Sequence, residues 1–507
     1  MRKTLSRRAA LRAAGVGAMG VGAAAVLSAC GESEPAPAPA TPAAVAAPAA
    51  TAAPAMTEAP APAMAEAMPA MESVTVRYVS DHTSGPRGAA MQWGLREYAK
   101  SRPNINIRFE PQPADYRETF PLQMAAGTQA EVAMLDGGML GAFVADGGFT
   151  QINDVLAKRD DYNIDEYYFI PDLYTVNFDS SHASGGSVPT VIEGDQFGMP
   201  FQGATGGILM NVDLGEKAGI EFPSEGWTYA EDYLESAKKA TNPDTDEWGS
   251  WARNDYEFQW APMCFGSGGL SYRNADETGL AVFDNGGDWG LKFSVGMIHD
   301  TGVSFPDGES KRVSGEFGNP FASGKVWSWL GSGVYSSGFH VPRIKDRFSW
   351  SLGPMPIGPS GVEVHSWNDQ PNLVTNGSIR LGTTEQAVDL SVFLGSAIYQ
   401  GRVAIDRGHL PMIKTAFNDA SATNPPPDGM EWLQRYAEAP ESRHLMMALP
   451  NWWEMNEWRN AFISAAYLGD VTVDEAIASA EGWVSSTLDS QRDQLNAARQ
   501  KFGFAAL

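Results

Sequence analysis

The 507-residue sequence is short of cysteine and of positive charge. Its two cysteines are Cys30 and Cys264. A disulfide framework is excluded, so stability must come from apolar packing. Cys264 has no partner if Cys30 is modified, and it reads as a small buried apolar residue. Lys and Arg number 36 against 61 Asp and Glu, a formal charge of −25. That balance excludes nucleic acid as a partner, because phosphate contacts need basic patches. Tight catalytic spacing is missing as well: neither G-x-S-x-G nor H-E-x-x-H occurs. Gly324-Lys325 is followed by Val326, so it is not a phosphate loop. The Ala/Gly/Val stretch from Ala13 to Ala29 is too short and too weakly apolar for a transmembrane helix.

Residues 1–29 read as an export signal peptide. Arg2, Lys3, Arg7, Arg8 and Arg12 form a basic start ahead of the apolar stretch. Ser6-Arg7-Arg8-Ala9-Ala10-Leu11-Arg12 resembles the twin-arginine signal without the usual aromatic after the pair. Leu27-Ser28-Ala29-Cys30 matches the bacterial lipobox, which makes Cys30 the expected lipidation site. The expected location is the extracytoplasmic face of the cell membrane, in the periplasm or at the cell surface. Removal of residues 1–29 takes away five positive charges and leaves −30. Residues 30–72 are then a lipidated cysteine and an Ala/Pro-rich tether that cannot bury enough to order itself. At about 3.1 Å per residue, an extended tether reaches on the order of 130 Å, within range of a membrane partner.

From Val74 the periodicity becomes that of a folded domain. Val74, Val76 and Tyr78 alternate, Met91, Leu95 and Tyr98 recur at helical spacing, and Ile105, Ile107 and Phe109 alternate again. A β-α-β unit of this length implies a parallel pair. Glu131–Asp136 reads as another short strand ending in a polar loop. The chain is organised around QFGMPFQGATGGILMNVDL, 196–214, in which two apolar strands flank Gly203, Gly206 and Gly207. This stretch resembles the crossover of the family 1 extracellular solute-binding proteins, the maltose-binding-protein-like receptors of ABC importers. LGEKAGIEFPSEGWTYAEDYLESAKKAT (214–241), the stretch Phe321–Tyr335, GPMPIGP (353–359) and GHLP (408–411) resemble later motifs of that family, in order. The resemblance spans about 74–507. It implies an α/β, two-lobe periplasmic-binding-protein-like fold of type II with a hinge between the lobes. The first lobe is expected at 74–201 plus 353–408, the second at 202–352 plus 409–507. Thr228–Glu231 and Thr472–Glu475 fit capping boxes, and Thr384–Tyr399 fits one amphipathic helix.

The resemblance also implies a function. A monomer would capture a small solute, a sugar or oligosaccharide, between its lobes and deliver it to an ABC permease, without cofactor or metal. Fifteen Trp and fifteen Tyr suit sugar rings, whose C–H faces stack on aromatics. Ligands of open α/β sheets bind beyond the carboxyl ends of strands. That rule makes Asp81 and His82 candidate ligand-binding residues; the resemblance carries over Asp136 and Tyr335, Gln202 lies in the crossover, Trp367 and Asn368 follow the return, and Trp251, Trp289 and Trp453 stand behind them. Core packing is the competing reading for each ring, and a solvated turn for Asp81 and His82. Asn242, Asp244 and Asp246 alternate as calcium ligands do, but Glu247 and Arg253 occupy the glycine and acid positions, so a polar turn is expected. Two other functions compete. One is a secreted glycan-active enzyme with paired carboxylates; the other is an anchored sensor or adhesion module on the same fold.

Overall fold

A computed structural model describes residues 73–112, 116–135, 143–144, 147–168, 196–205, 207–255, 259–269, 272–274, 276–330, 337–406, 410–423, 427–438, 443–445, 457–501 and 505–507. These belong to a unit spanning Ala70–Leu507. The leader, Cys30 and the tether lie outside the described residues. Among the described residues ten strands form two sheets: β1 (Val74–Ser80), β2 (Ile105–Pro111), β3 (Val132–Met134), β4 (Gly198–Thr205), β5 (Ile208–Asn211), β6 (Trp248–Ser250), β7 (Val326–Leu330), β8 (Trp350–Gly353), β9 (His365–Val374) and β10 (Arg443–Leu445). The first sheet runs β10-β9-β3-β1-β2, with β4 on the other edge of β9, and the second runs β6-β7-β5-β8. The chain thus leaves the first sheet after Thr205 and returns to it at His365.

The expected β-α-β unit is present. β1 pairs parallel with β2, Val74 opposite Ile105, and the helix Gly85–Ser101 connects them. Alternation gives β1 two apolar faces: Val76 and Tyr78 enter one cluster and Val79 another. A parallel sheet covered on both sides needs this. Each such fully buried large aliphatic side chain contributes about 1.5–3 kcal/mol. Gly94 lets the helix approach its neighbour, since a Cβ there would meet the Tyr399 ring at 2.4 Å. The same helix is pinned at its end. Asp389 accepts hydrogen bonds from Tyr98 Oη, Arg102 Nε and Arg159 Nη2, each at 2.9 Å.

In the second sheet, β5, β7 and β8 are buried throughout. Tyr233 crosses beneath it and bonds the hydroxyls of Ser250 (2.7 Å) and Ser328 (2.8 Å), so polar groups inside the sheet are matched. The return segment is tied down on two sides. Ile357 N donates to Trp227 O at 2.7 Å, and Met355 N donates to Tyr436 Oη at 2.5 Å.

Several local details differ from the sequence reading. Thr384–Tyr399 is two helices, Thr384–Gly395 and Ala397–Ile405, because extended Ser396 caps the second by accepting from Tyr399 N. At Thr228 the reciprocal capping bond comes from Asp232, not Glu231, because a π-turn shifts the reach by one residue. The Thr472–Glu475 box forms as expected, with Glu475 N donating to Thr472 Oγ1 and Thr472 N to Glu475 Oε2. β10 comes from the segment expected in the second lobe, yet it joins the first sheet. β3 covers only Asn372–Val374 of one edge of β9, which leaves His365–Trp367 to pair with β10.

Candidate functional site

Strand polarity brings the carboxyl ends of both sheets to one place. β3 ends at Met134 opposite Asn372, so residues 365–371 of β9 run on past the carboxyl end of β3. β4 is parallel to β3, since both are antiparallel to β9. Its last residues cover the extension: Gln202 opposite Gln370, Ala204 opposite Asn368 and Thr205 opposite Trp367. Gln202, Trp367 and Asn368 thus share one two-stranded ribbon. That ribbon leads directly into β5, whose first residue, Ile208, pairs with Leu330 and Gly353, the last residues of β7 and β8. β6 is parallel to β7 and ends on the same side, followed by Trp251. Both sheets therefore open their carboxyl ends on the crossover, the place where α/β sheets bind ligands.

At the first sheet's end, Asp81 and His82 have different surroundings. The Asp81 side chain is 41% exposed, with Arg87 Nη1 3.6 Å from its carboxylate. His82 is fully buried beside Phe201, ring centroids 4.9 Å apart, and its Nε2 lies 3.6 Å from Asp81 Oδ1. The imidazole supports the turn from inside while the carboxylate reaches solvent. Asp136, Tyr335 and Trp453 lie outside the described residues.

At the second sheet's end, Trp251 is 5% exposed and packs on Trp329, ring centroids 4.5 Å apart. Arg253 lies over both rings and pairs with Asp255. Burial pushes the nearby Asp307 carboxyl up, with Arg253 pulling the other way. Behind Trp329, His340 is enclosed by Phe321, Trp329 and Trp350, and burial, aided by Arg343, pushes its imidazole down to about 3. It is a neutral core residue at physiological pH. Trp289 stands on the helix Asp288–His299, stacked on Phe293 at 4.8 Å and 6.3 Å from Tyr229. Its ring contacts are with these two side chains rather than with a strand-end residue.

Of Asn242, Asp244 and Asp246, it is Asp246 that holds cations of the protein itself. Asp246 has left-handed backbone (φ 58°) and accepts from Lys325 Nζ at 2.6 Å, Arg312 Nη1 at 2.7 Å and Trp248 Nε1 at 3.1 Å. Burial works against its charge, yet these donors hold the carboxyl down at about 2. Among the described residues no cluster of three or more metal-ligating side chains is present. Cys264 is buried and its thiol is pushed up by burial, as an inert core residue should be. Arg253 and Trp329 stand at this strand end, and the sequence reading passed over both. The available signal was the order strand, Trp, small residue, Arg at 248–253.

The family model for bacterial extracellular solute-binding proteins matches residues 82–385. A putative binding protein of Brucella abortus is 23% identical over 420 residues, covering 80% of this chain and 92% of that one. An ABC substrate-binding protein of Listeria monocytogenes, solved with cycloalternan, superposes with a TM-score of 0.65 at 18% identity, over 82% of this chain and all of the other. A sugar-binding protein of Xanthomonas citri gives a TM-score of 0.65 at 16% identity, over 83% of this chain and 99% of the other. Both solved proteins share the two-lobe α/β architecture with this chain.

Proposed function

The chain belongs to the bacterial extracellular solute-binding protein family, and on that footing we propose that it captures a sugar or oligosaccharide between its lobes and delivers it to an ABC permease. The family is one of binding proteins, and this chain is a binding protein rather than an enzyme. The observation that supports the site is the polarity of the strands, which opens both sheets on the crossover. Asp81, Gln202, Trp367 and Asn368 would contribute from the first sheet and Trp251 from the second. In this reading the first lobe comprises 74–205, 365–408 and β10, because β4 runs to Thr205 in the first sheet and Gly353 still belongs to the second. The second lobe comprises 207–364 and the rest of 409–507, in place of the expected divisions at 201/202 and 352/353. Closure about the hinge would bury the solute from both sides and change the surface offered to the permease. Solved neighbours of this fold carry cycloalternan and maltose, which supports a saccharide ligand here. Export under the leader of residues 1–29, lipidation at Cys30 and a monomeric receptor complete the proposal.

A thermal-shift screen of the mature chain against neutral oligosaccharides tests it. A ligand at about 100 times its Kd stabilises the folded state by about 2.7 kcal/mol. A raised melting midpoint without release of free sugar is the expected result. Stabilisation only by solutes other than saccharides would replace the ligand class.

A further inference from the structure

Trp251 follows β6 and Trp329 is the next-to-last residue of β7, both at the carboxyl edge of the second sheet, and their rings are not free for stacking. They close on each other, and the Arg253 guanidinium carbon lies 4.9 Å from one ring centroid and 5.3 Å from the other. A cation held over an indole face occupies the position that a sugar ring would take. What the cluster offers is donors. Trp251 Nε1 and Arg253 Nε are both buried and have no hydrogen-bond partner among the described residues. Unmatched buried donors are uncommon in folded proteins and call for an explanation, a bound group being one.

The turn that carries them is fixed. Gln259 is buried; its Oε1 accepts from Arg253 N and its Nε2 donates to Trp251 O, both at 2.8 Å. The Arg253 side chain is 37% exposed, so a ligand can reach the guanidinium from solvent. Its charge is already offset: Asp255 pairs with it, and Asp307 interacts with it electrostatically. The cluster has no surplus positive charge for an anion. It has unmatched donors beside carboxylate acceptors, and a hydroxyl is the group that both accepts and donates.

We infer that Trp251 and Arg253 determine specificity by reading the hydroxyl edge of a neutral saccharide, through the indole N–H and the guanidinium N–H groups, and that they disfavour a uronate. This rests on the saccharide reading above and deepens it. Closure of the lobes brings the hydroxyl oxygens to the two donors.

The test is a thermal-shift series on the mature chain with maltose, maltotriose, mannotriose and D-glucuronate, followed by calorimetric titration of the best neutral probe into Trp251→Phe and Arg253→Lys. Trp251→Phe keeps a ring and removes the N–H. Arg253→Lys keeps the charge and removes the planar fork. The expected result is stabilisation by a neutral probe, none by glucuronate, and roughly tenfold weaker binding in each variant with ligand-free melting midpoints intact. Unchanged affinity in both variants overturns the inference and leaves the saccharide reading standing. So does glucuronate stabilising more than the neutral probes, or a lowered ligand-free midpoint with unchanged affinity, which marks a structural role. If no saccharide shifts the midpoint, the saccharide reading falls and this inference falls with it.

Discussion

The two sheets handle charge differently. Against the second sheet's core, Arg273 and Glu277 are 0% and 2% exposed, with Nε 2.8 Å from Oε2, and burial pulls the Arg273 pKa down. Around the first sheet, Asp389 stays at the rim, 12% exposed, under donors from two arginines and a tyrosine. A fully buried pair is costly to form and costlier to break, whereas a rim hub is screened by water on one side. What the regions share is where these charges are not. Neither network lies at a strand's carboxyl end. Those ends keep Asp81 and Arg253 partly exposed. Charges that hold the fold are buried or saturated, and charges at the crossover keep access to solvent.

The largest loss is expected for Glu277→Ala, which removes the carboxylate from the buried Arg273 guanidinium. It should lower stability by about 3–5 kcal/mol, read as a lower urea midpoint at unchanged slope. A loss no larger than that of a surface pair would erase the difference between the regions. Asp389→Ala should cost less, about 2 kcal/mol, because its Arg102 partner is partly exposed. This loss should depend on pH. Burial alone would raise the Asp389 pKa, but bonds from Arg102, Arg159 and Tyr98 outweigh it and hold the carboxyl below its usual 3.8. A depressed folded-state pKa contributes stability that is present above the unfolded value and is lost as pH falls through the folded one. The gap between wild type and Asp389→Ala should therefore hold from about pH 7 to 5 and shrink below about pH 4. A gap that grows with acid would refute the hub. The smallest effect is expected at a neutral cap. Asn211 Oδ1 accepts from Leu214 N at 3.0 Å and Nδ2 donates to Gly324 O at 3.2 Å, just past the crossover. Asn211→Ala should cost about 1 kcal/mol, with no pH dependence between neutrality and acid, measured by the same denaturation.

Much of the fold was legible where one periodicity governs a segment. Alternation at Val74, Val76 and Tyr78 located β1, and the Thr472–Glu475 spacing located a capping box that forms as written. Legibility failed where a single residue overrides the period. Ser396 breaks an apolar stripe that continues on both sides of it, and Asp232 captures a cap that spacing assigns to Glu231. It failed again where a partner lies far along the chain: β10 finds the open edge of β9 across 76 residues of separation, counted from Trp367 to Arg443. The site divides in the same way. Asp81 could be placed because it follows a strand. Gln202 and Trp367 lie on one ribbon because the crossover motif and the return motif are neighbours in the sheet. Arg253 could not be placed, since one of the two rings it lies over, Trp329, arrives from a different strand.

In the proposed reading one ligand is held by both strand ends at once. The most direct measurement is calorimetric titration of the neutral saccharide that raises the melting midpoint into Asp81→Ala, on the first sheet, and Arg253→Lys, on the second. Weaker binding by roughly tenfold in each, with both variants folded, is the predicted result. Unchanged affinity in either variant, at an intact melting midpoint, would contradict a ligand shared between the two lobes.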